Sequence, residues 1–416
     1  MTAEGAKLFE ERSQRILDAV ELREPDRVPF STHWHFWPAR YAGMTCREAM
    51  YEHARFDAAV RKAVLDLEPD SFALMQPGVA LGPAFDEMGF RMLEWPGHGV
   101  GEDSSYQYID REYMTADEYD DYILDPTGFF LRKYLPRVAE AFEGFAGFPD
   151  FPAFPYLGIA HSTSAFATPE MAQSFERLAA AGQKINEVFG SALPMALEMT
   201  EHGFPTVFGS FSMAPYDYIA DYMRGSRGAM LDMFRHEEKM IAAIDKARAV
   251  IVRGTIERGA SLPSKTVFIP LHWGLDGFMS GEQFEKFYWP SLRDLMVELI
   301  DAGMTPLILW EGDCESRLEV IGEIPAGKAI YFFERTDPFK AKAVLGDTVC
   351  LRGFVPASLL TTGKPSQVED YCKRLIDGCA PGGGLIVDGS IGIPDDARVE
   401  NVFAMRDAVW KYGQAR

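Results

Sequence analysis

Cysteine is scarce in this chain: five residues in 416, at positions 46, 314, 350, 372 and 379. They are odd in number and widely spaced, so no disulfide framework can be read from them, and no C-x-x-C pair suggests a zinc knuckle. Long apolar runs are missing too. Nowhere do about 18 apolar residues follow one another without a charge, so no membrane span is expected. There is no internal repeat, no low-complexity stretch and no Ser- or Gly-rich linker, which favours one unit over residues 1–416. No G-x-G-x-x-G follows the first candidate strand and no G-x-x-x-x-G-K-[ST] occurs, so no nucleotide cofactor is expected. Positive charge is in deficit: 41 Lys and Arg face 62 Asp and Glu, a formal net charge of −21. That balance excludes a general nucleic-acid or anionic-membrane binder, while leaving room for a local basic pocket.

What is present is core material. Hydrophobic residues make up 47% of the chain, enough to exclude wholesale disorder. The segment 1–7 leads into a charged helical pattern instead of an apolar signal core, which sets the expectation of a cytoplasmic enzyme. Short apolar runs at 305–310, 329–333, 348–351 and 385–387 read as strands of a parallel sheet covered on both faces. Amphipathic helices separate them. One begins after Ser280, with Gln283 placed for a capping box and Pro290 expected to kink it; another opens at Asp337-Pro338 and stops at Gly346. The same rhythm places earlier strands at 28–32, 71–75, 205–211 and 267–271. Eight strands alternating with helices predict an α/β fold, a closed (β/α)8 TIM barrel, with an open doubly wound sheet as the alternative. The long stretch 86–155, with aromatic-rich halves suited to a hairpin, is expected to be an insertion after the second strand that covers the barrel mouth.

In such a barrel the active site lies at the carboxyl ends of the strands. Polar residues stand at many of those ends: His33 and His35, His272, Glu311 and Asp313, Glu334, Arg352 and Asp388. In extended backbone His33 and His35 point to the same side and could address one ion or substrate, or simply pack beneath a lid. Glu311-Gly312-Asp313 could bind a metal or move a proton, with Gly312 supplying the turn; a solvated turn is the plain alternative. Glu334 follows five apolar residues and is read either as a site carboxylate or as the partner of Arg335. Asp388 could be functional or merely begin a loop. Cys314 is a candidate thiolate ligand, whereas Cys350 and Cys372 read as core. The candidate catalytic set is therefore Glu311, Asp313, His272 and Asp388. The candidate metal set is Glu311, Asp313, Glu334 and Cys314. Trp37, Trp273 and Trp310 cluster at strand ends with Trp34 and Phe36 and suit a flat organic substrate. With His33, His35, Arg40 and Arg352 they form the candidate substrate-binding set.

Asp26-Arg27-Val28-Pro29-Phe30 after an amphipathic helix, the stretches 281–307 and 363–377, and the closing Glu400-Asn401-Val402 resemble the uroporphyrinogen decarboxylase superfamily over nearly the whole chain. The resemblance implies a (β/α)8 barrel, and either a cofactor-free decarboxylase or a methyltransferase serving a corrinoid protein or coenzyme M. The methyltransferase branch carries His-x-Cys-Gly after the fifth strand, Glu on the sixth and Cys on the last. Here Trp310-Glu311-Gly312-Asp313 lacks the His and Cys, Glu334 matches the Glu, and Asp388-Gly389-Ser390 replaces the last Cys. A carboxylate-rich set implies a harder divalent metal than zinc-thiolate, or none. The decarboxylase branch carries a Gln-Ala-Gly-Arg loop; residues 37–43 hold Arg40 as their one cation, so a many-carboxylate porphyrinogen fits poorly.

Two enzyme readings follow, with a non-enzymatic binding module as the third. One is methyl transfer from a small, possibly aromatic, methylated compound to a corrinoid protein, with Glu311, Asp313 and Glu334 binding a metal or protonating a leaving oxygen. The other is decarboxylation or carbon–carbon cleavage, with Arg40 or Arg352 holding a carboxylate. A homodimer is a further open expectation.

Overall fold

The computed structural model describes residues 1–207 and 209–415. Eight parallel strands form its centre: β1 (Ser31–Thr32), β2 (Ser71–Phe72), β3 (Ser210–Phe211), β4 (Thr266–Leu271), β5 (Thr305–Trp310), β6 (Ile330–Phe333), β7 (Cys350–Val355) and β8 (Leu385–Gly389). Strands β3 to β8 pair in chain order, and β1 pairs with β2. Two single bridges join these sheets. Phe30 pairs in parallel with Val387, and Phe72 with Thr206. The Val387 amide donates to the Pro29 carbonyl at 2.9 Å, and the Val207 amide to Phe72 at 2.8 Å. The ring is thereby closed.

The expected strands 28–32, 71–75 and 205–211 shrink to two-residue ladders flanked by bridges. Pro29 and Pro205 have no amide to donate, so each can only accept at these seams. Conversely, the strand expected at 348–351 extends through Gly353 to Val355, because Arg352 is accommodated inside the barrel.

Alternation along each strand sorts the core. Phe268, Leu307, Leu309, Ile330, Phe332, Cys350 and Ile386 pack together within the ring. Val267, Ile269, Ile308, Trp310, Tyr331 and Phe333 belong to the larger core shared with the surrounding helices. Pro290 does not kink a helix midway. A π-turn at Phe284–Tyr288 precedes the helix Trp289–Asp301, so Pro290 occupies its first turn, where its missing amide costs nothing. Asp337 caps the helix Pro338–Leu345 by accepting from the amides of Phe339 and Lys340.

Residues 73–209 separate β2 from β3 and carry three short strands, Leu93–Pro96, Gly99–Val100 and Gln107–Tyr108, and the 33-residue helix Pro169–Glu201. Leu93 pairs antiparallel with Tyr108, and this small sheet lies against the barrel mouth, where Leu93, Tyr106 and Tyr108 wall a cavity. No helix among the described residues is long and apolar enough to cross a membrane.

Candidate active site

A cavity of about 1110 Å³ opens at the carboxyl ends of the strands. Pro270 and Leu309 form part of its floor, and the next inward positions on β4 and β5 are His272 and Glu311. Period-two alternation sends 268, 270 and 272 inward, and likewise 307, 309 and 311. His33, His35 and Glu334 complete the barrel's polar contribution, and Phe90, Met92, Tyr106 and Tyr108 close the opposite wall.

His272 is the best-held group. Its Nδ1 lies 2.5 Å from Asp221 Oδ2, its Nε2 lies 3.8 Å from Glu311 Oε1, and its backbone amide donates to Asp217 at 2.9 Å. Burial by itself would lower the imidazole, but the Asp221 hydrogen bond and the fields of Asp217, Asp221 and Glu311 outweigh it. The ring is held as imidazolium, up to about 10. Asp221 also accepts from Trp273 Nε1 at 2.5 Å, which places that indole beside the cavity wall. Asp217 is fully buried and accepts from the Tyr288 hydroxyl at 2.8 Å; burial and then Asp221 push it up to about 7.

Glu311 is pushed up by burial, drawn down by His272 and raised again by Glu334 and Asp221. Glu334 Oε2 accepts from the Gly312 amide at 2.6 Å, which turns its carboxylate toward the cavity. His33 and His35 lie with ring centroids 5.5 Å apart. Burial lowers both; the field of His35 and then of Arg352 lowers His33 further, and Asp395 opposes the shift of His35. Both are neutral rings. Asp395 is itself raised by burial while accepting from the Phe36 amide at 2.8 Å.

The remaining expectations are corrected. Asp313 is exposed and its carboxylate accepts from the Glu315 amide at 3.0 Å, so it shapes a turn and is absent from the cavity wall. Cys314 is fully buried outside that wall, and burial pushes its thiol far up, which is unsuited to a thiolate ligand. Trp310 faces outward with Ile308 and stacks near Phe333; Trp37 is buried and donates to Ala397 at 3.0 Å. Neither lines the cavity, because strand parity and the turn after β1 aim them at the helices. Arg40 is exposed and sits 3.3 Å from Asp103. Arg352 and Asp388 are both inside the barrel, 2.7 Å apart, and neither reaches the cavity; Asp388 also accepts from the His33 amide at 3.1 Å.

Reading the sequence missed Asp217, Asp221, Tyr222 and Asp395. The signal for the first two is the spacing Asp217-x-x-x-Asp221, one face of a helix just after β3. A π-turn at Ala220–Arg224 swings Asp221 toward the cavity, and that distortion has no pattern in the sequence.

The zinc–thiolate centre implied by the methyltransferase resemblance does not fit this wall. Among the described residues no three His, Cys, Asp or Glu side chains converge to hold a metal ion. The donors that do face the cavity are carboxylates and imidazoles, of which His272, Asp221 and Glu311 engage one another and Glu334 and Asp395 accept from backbone amides.

A family model described as Uroporphyrinogen decarboxylase (URO-D) matches residues 164–412. Among solved structures, a methyltransferase from Methanosarcina mazei superposes with a TM-score of 0.59 at 15% identity, over 96% of this chain and 98% of that chain. No curated protein is matched. At that identity the likeness speaks for the shared fold.

Proposed function

The chain belongs to the uroporphyrinogen decarboxylase family, and on that premise we propose that it transfers a methyl group from a small methylated, aromatic ether to a corrinoid protein. One observation carries the choice. The cavity wall holds five carboxylates (Asp221, Glu311, Glu334, Asp395 and Asp396) and three imidazoles, yet no lysine or arginine. A decarboxylase must bind the carboxylate it removes, and the one cation on this wall, His272, is already paired with Asp221 and faces Glu311, so five carboxylates weigh against binding another. Arg40 and Arg352, the cations a decarboxylase reading would use, are both outside it. An uncharged ring, by contrast, suits the apolar floor and the rings of Tyr106, Tyr222, Phe211 and Phe268.

In the proposed reaction the oxygen–methyl bond breaks, its bonding pair stays on oxygen, and the methyl group passes to the external acceptor, a corrinoid protein in its reduced form, which supplies the electron pair of the new bond to carbon. That oxygen needs a proton. His272, held at about 10 and facing Glu311, is matched to a phenol of about 10, where general-acid transfer is most effective. Asp221 fixes the ring so that Nδ1–H is occupied and Nε2 is the nitrogen that faces substrate. Neutral His33 and His35 offer hydrogen bonds without adding charge.

The test is turnover of a panel of methoxy-aromatics with a corrinoid protein supplied as acceptor, monitoring the released phenol. His272→Ala should lower kcat by roughly 10²–10⁴-fold, the range for loss of a general acid. Release of carbon dioxide from aromatic acids with no phenol formed from any ether would overturn the proposal.

A further inference from the structure

The stretch from Leu74 to Leu93, which follows β2, turns only apolar groups to the cavity. Leu74, Met75, Leu81, Phe85, Phe90 and Leu93 line it and all are half-buried, so their apolar surface stands open to whatever fills the space. Phe85 and Phe90 stack with ring centroids 4.9 Å apart. The four polar side chains of the same stretch, Gln76, Asp86, Glu87 and Arg91, all miss the wall. Gln76 is turned back to donate to Asp57 at 3.3 Å, Asp86 accepts from the Tyr51 hydroxyl at 3.0 Å, and Arg91 pairs with Glu143 at 2.6 Å. In the ring of eight strands β2 stands opposite β6 and three places from β5, so this apolar arm lies across the cavity from Glu311 and Glu334.

We propose that the arm is a subsite for an uncharged apolar substituent, an alkyl chain or a second ring, which the substrate carries across the ring from its ether oxygen. The inference rests on the aromatic-ether reading above and enlarges its substrate. Volume calls for a group of this size. The cavity of about 1110 Å³ exceeds the range of roughly 300–1,000 Å³ over which sites enclose drug-sized ligands, and one ring with a methoxy group fills little of it. Polarity decides what the group is. An oxygen held by His272 and Glu311, on β4 and β5, directs the far end of the ring toward β8, β1 and β2. His35, Asp395 and Asp396 put polar groups after β1 and β8, and the side following β2 offers continuous apolar surface. A substituent that gains by leaving water turns there. A charged or hydroxylated one would lose its hydration against the arm and find no partner.

Titration calorimetry of the full chain with phenol and its 4-alkyl derivatives, methyl to pentyl, reads the arm without turnover. Kd should fall roughly three- to fourfold for each added carbon until the arm is full, with a heat-capacity change that grows more negative along the series. Gly78 lines the same arm, and a Cβ there would meet nothing nearer than Met75 Cε at 3.9 Å, so Gly78→Phe has room to grow into the cavity. It should shrink the ratio of the phenol and 4-pentylphenol constants by about tenfold or more. Leu81→Asn, at the residue preceding the helix Gly82–Met88 where a short polar side chain suits the backbone, should shrink the same ratio and serves if Gly78→Phe does not fold. A Kd that stays level along the series, or a ratio unmoved in both variants, would overturn the proposal. A chain-length effect in a protein that demethylates no aryl ether would keep the arm and remove the reaction. Demethylation of methoxybenzene without any chain-length effect would do the reverse.

Discussion

His272 and Asp221 meet in the cavity wall with Nδ1 and Oδ2 2.5 Å apart, although they come from different βα units and lie 51 residues apart in sequence. Asp221 is held in turn by Trp273 Nε1, so the pair is rigid on both sides. Asp221→Asn keeps the shape and removes the charge. It should lower methyl transfer about as far as His272→Ala does, by roughly 10²-fold or more, while leaving substrate affinity within a few-fold. A large rise in KM with unchanged kcat would assign Asp221 to binding instead.

The same pair sets a pH dependence of stability. The imidazole of His272 is raised from its ordinary 6.5 to about 10 in the folded chain. Its contribution is complete below 6.5, where folded and unfolded forms are both protonated, and is lost as pH rises toward 10. Thermal melts of the wild type should therefore decline between pH 6.5 and 10. In Asp221→Asn that decline should flatten, because the main group holding the proton has gone. His272 is about a third exposed, so solvent moderates the size of the effect.

Gly312 places a left-handed turn between Glu311 and Asp313, with φ of +81°. A Cβ there would come within 2.8 Å of Leu275 Cδ1, and the Gly312 amide donates to Glu334. Gly312→Ala should cost roughly 1–3 kcal/mol and also reduce turnover, because the turn aims Glu311. Gly303 has a similar φ of +75° with nothing within 4 Å. Gly303→Ala should thus show the backbone cost alone, with activity intact. Equal losses of activity in the two variants would remove Glu311 and Glu334 from the mechanism.

The barrel was legible because its later strands are continuous apolar runs ended by a polar residue. That same punctuation exposed His272, Glu311 and Glu334. Parity decided the errors. Trp310 and Glu311 are neighbours in sequence, yet only Glu311 faces inward, and Asp313 is turned out by Gly312. Asp221 was hidden for a different reason: β3 is two residues long and a π-turn, not a regular helix, sets the direction of that side chain. Arg352 was misread because a buried arginine with its own aspartate looks, in sequence, like a substrate clamp.

Cys314→Ala separates the observed wall from the ligand set first expected. The thiol is fully buried and outside the cavity. The variant should lose about 1 kcal/mol of stability, as a small core truncation does, and keep full activity. Abolished turnover in a folded protein would return Cys314 to the site.

Arg352 and Asp388 test whether the barrel interior is a support or part of the reaction. They are 2.7 Å apart with almost no exposure, and Arg352 also stacks 5.0 Å from the Phe332 ring centroid. Asp388 is raised by burial to about 6 even though Arg352 draws it down. Arg352→Met strands a carboxylate in the interior and should cost about 3–5 kcal/mol at pH 7 in urea unfolding. Without the guanidinium the Asp388 carboxyl must rise further above its ordinary 3.8, so the folded form gains protons as pH falls. The variant should consequently regain stability relative to wild type between pH 7 and 5. Adding Asp388→Asn removes the stranded charge, and the double variant should recover most of the loss at pH 7 and lose the extra pH dependence of Arg352→Met over that window. Should the double variant fold well yet be inactive, the pair would touch the chemistry through His33, whose amide donates to Asp388 at 3.1 Å; with activity retained, it is a strut beneath the cavity.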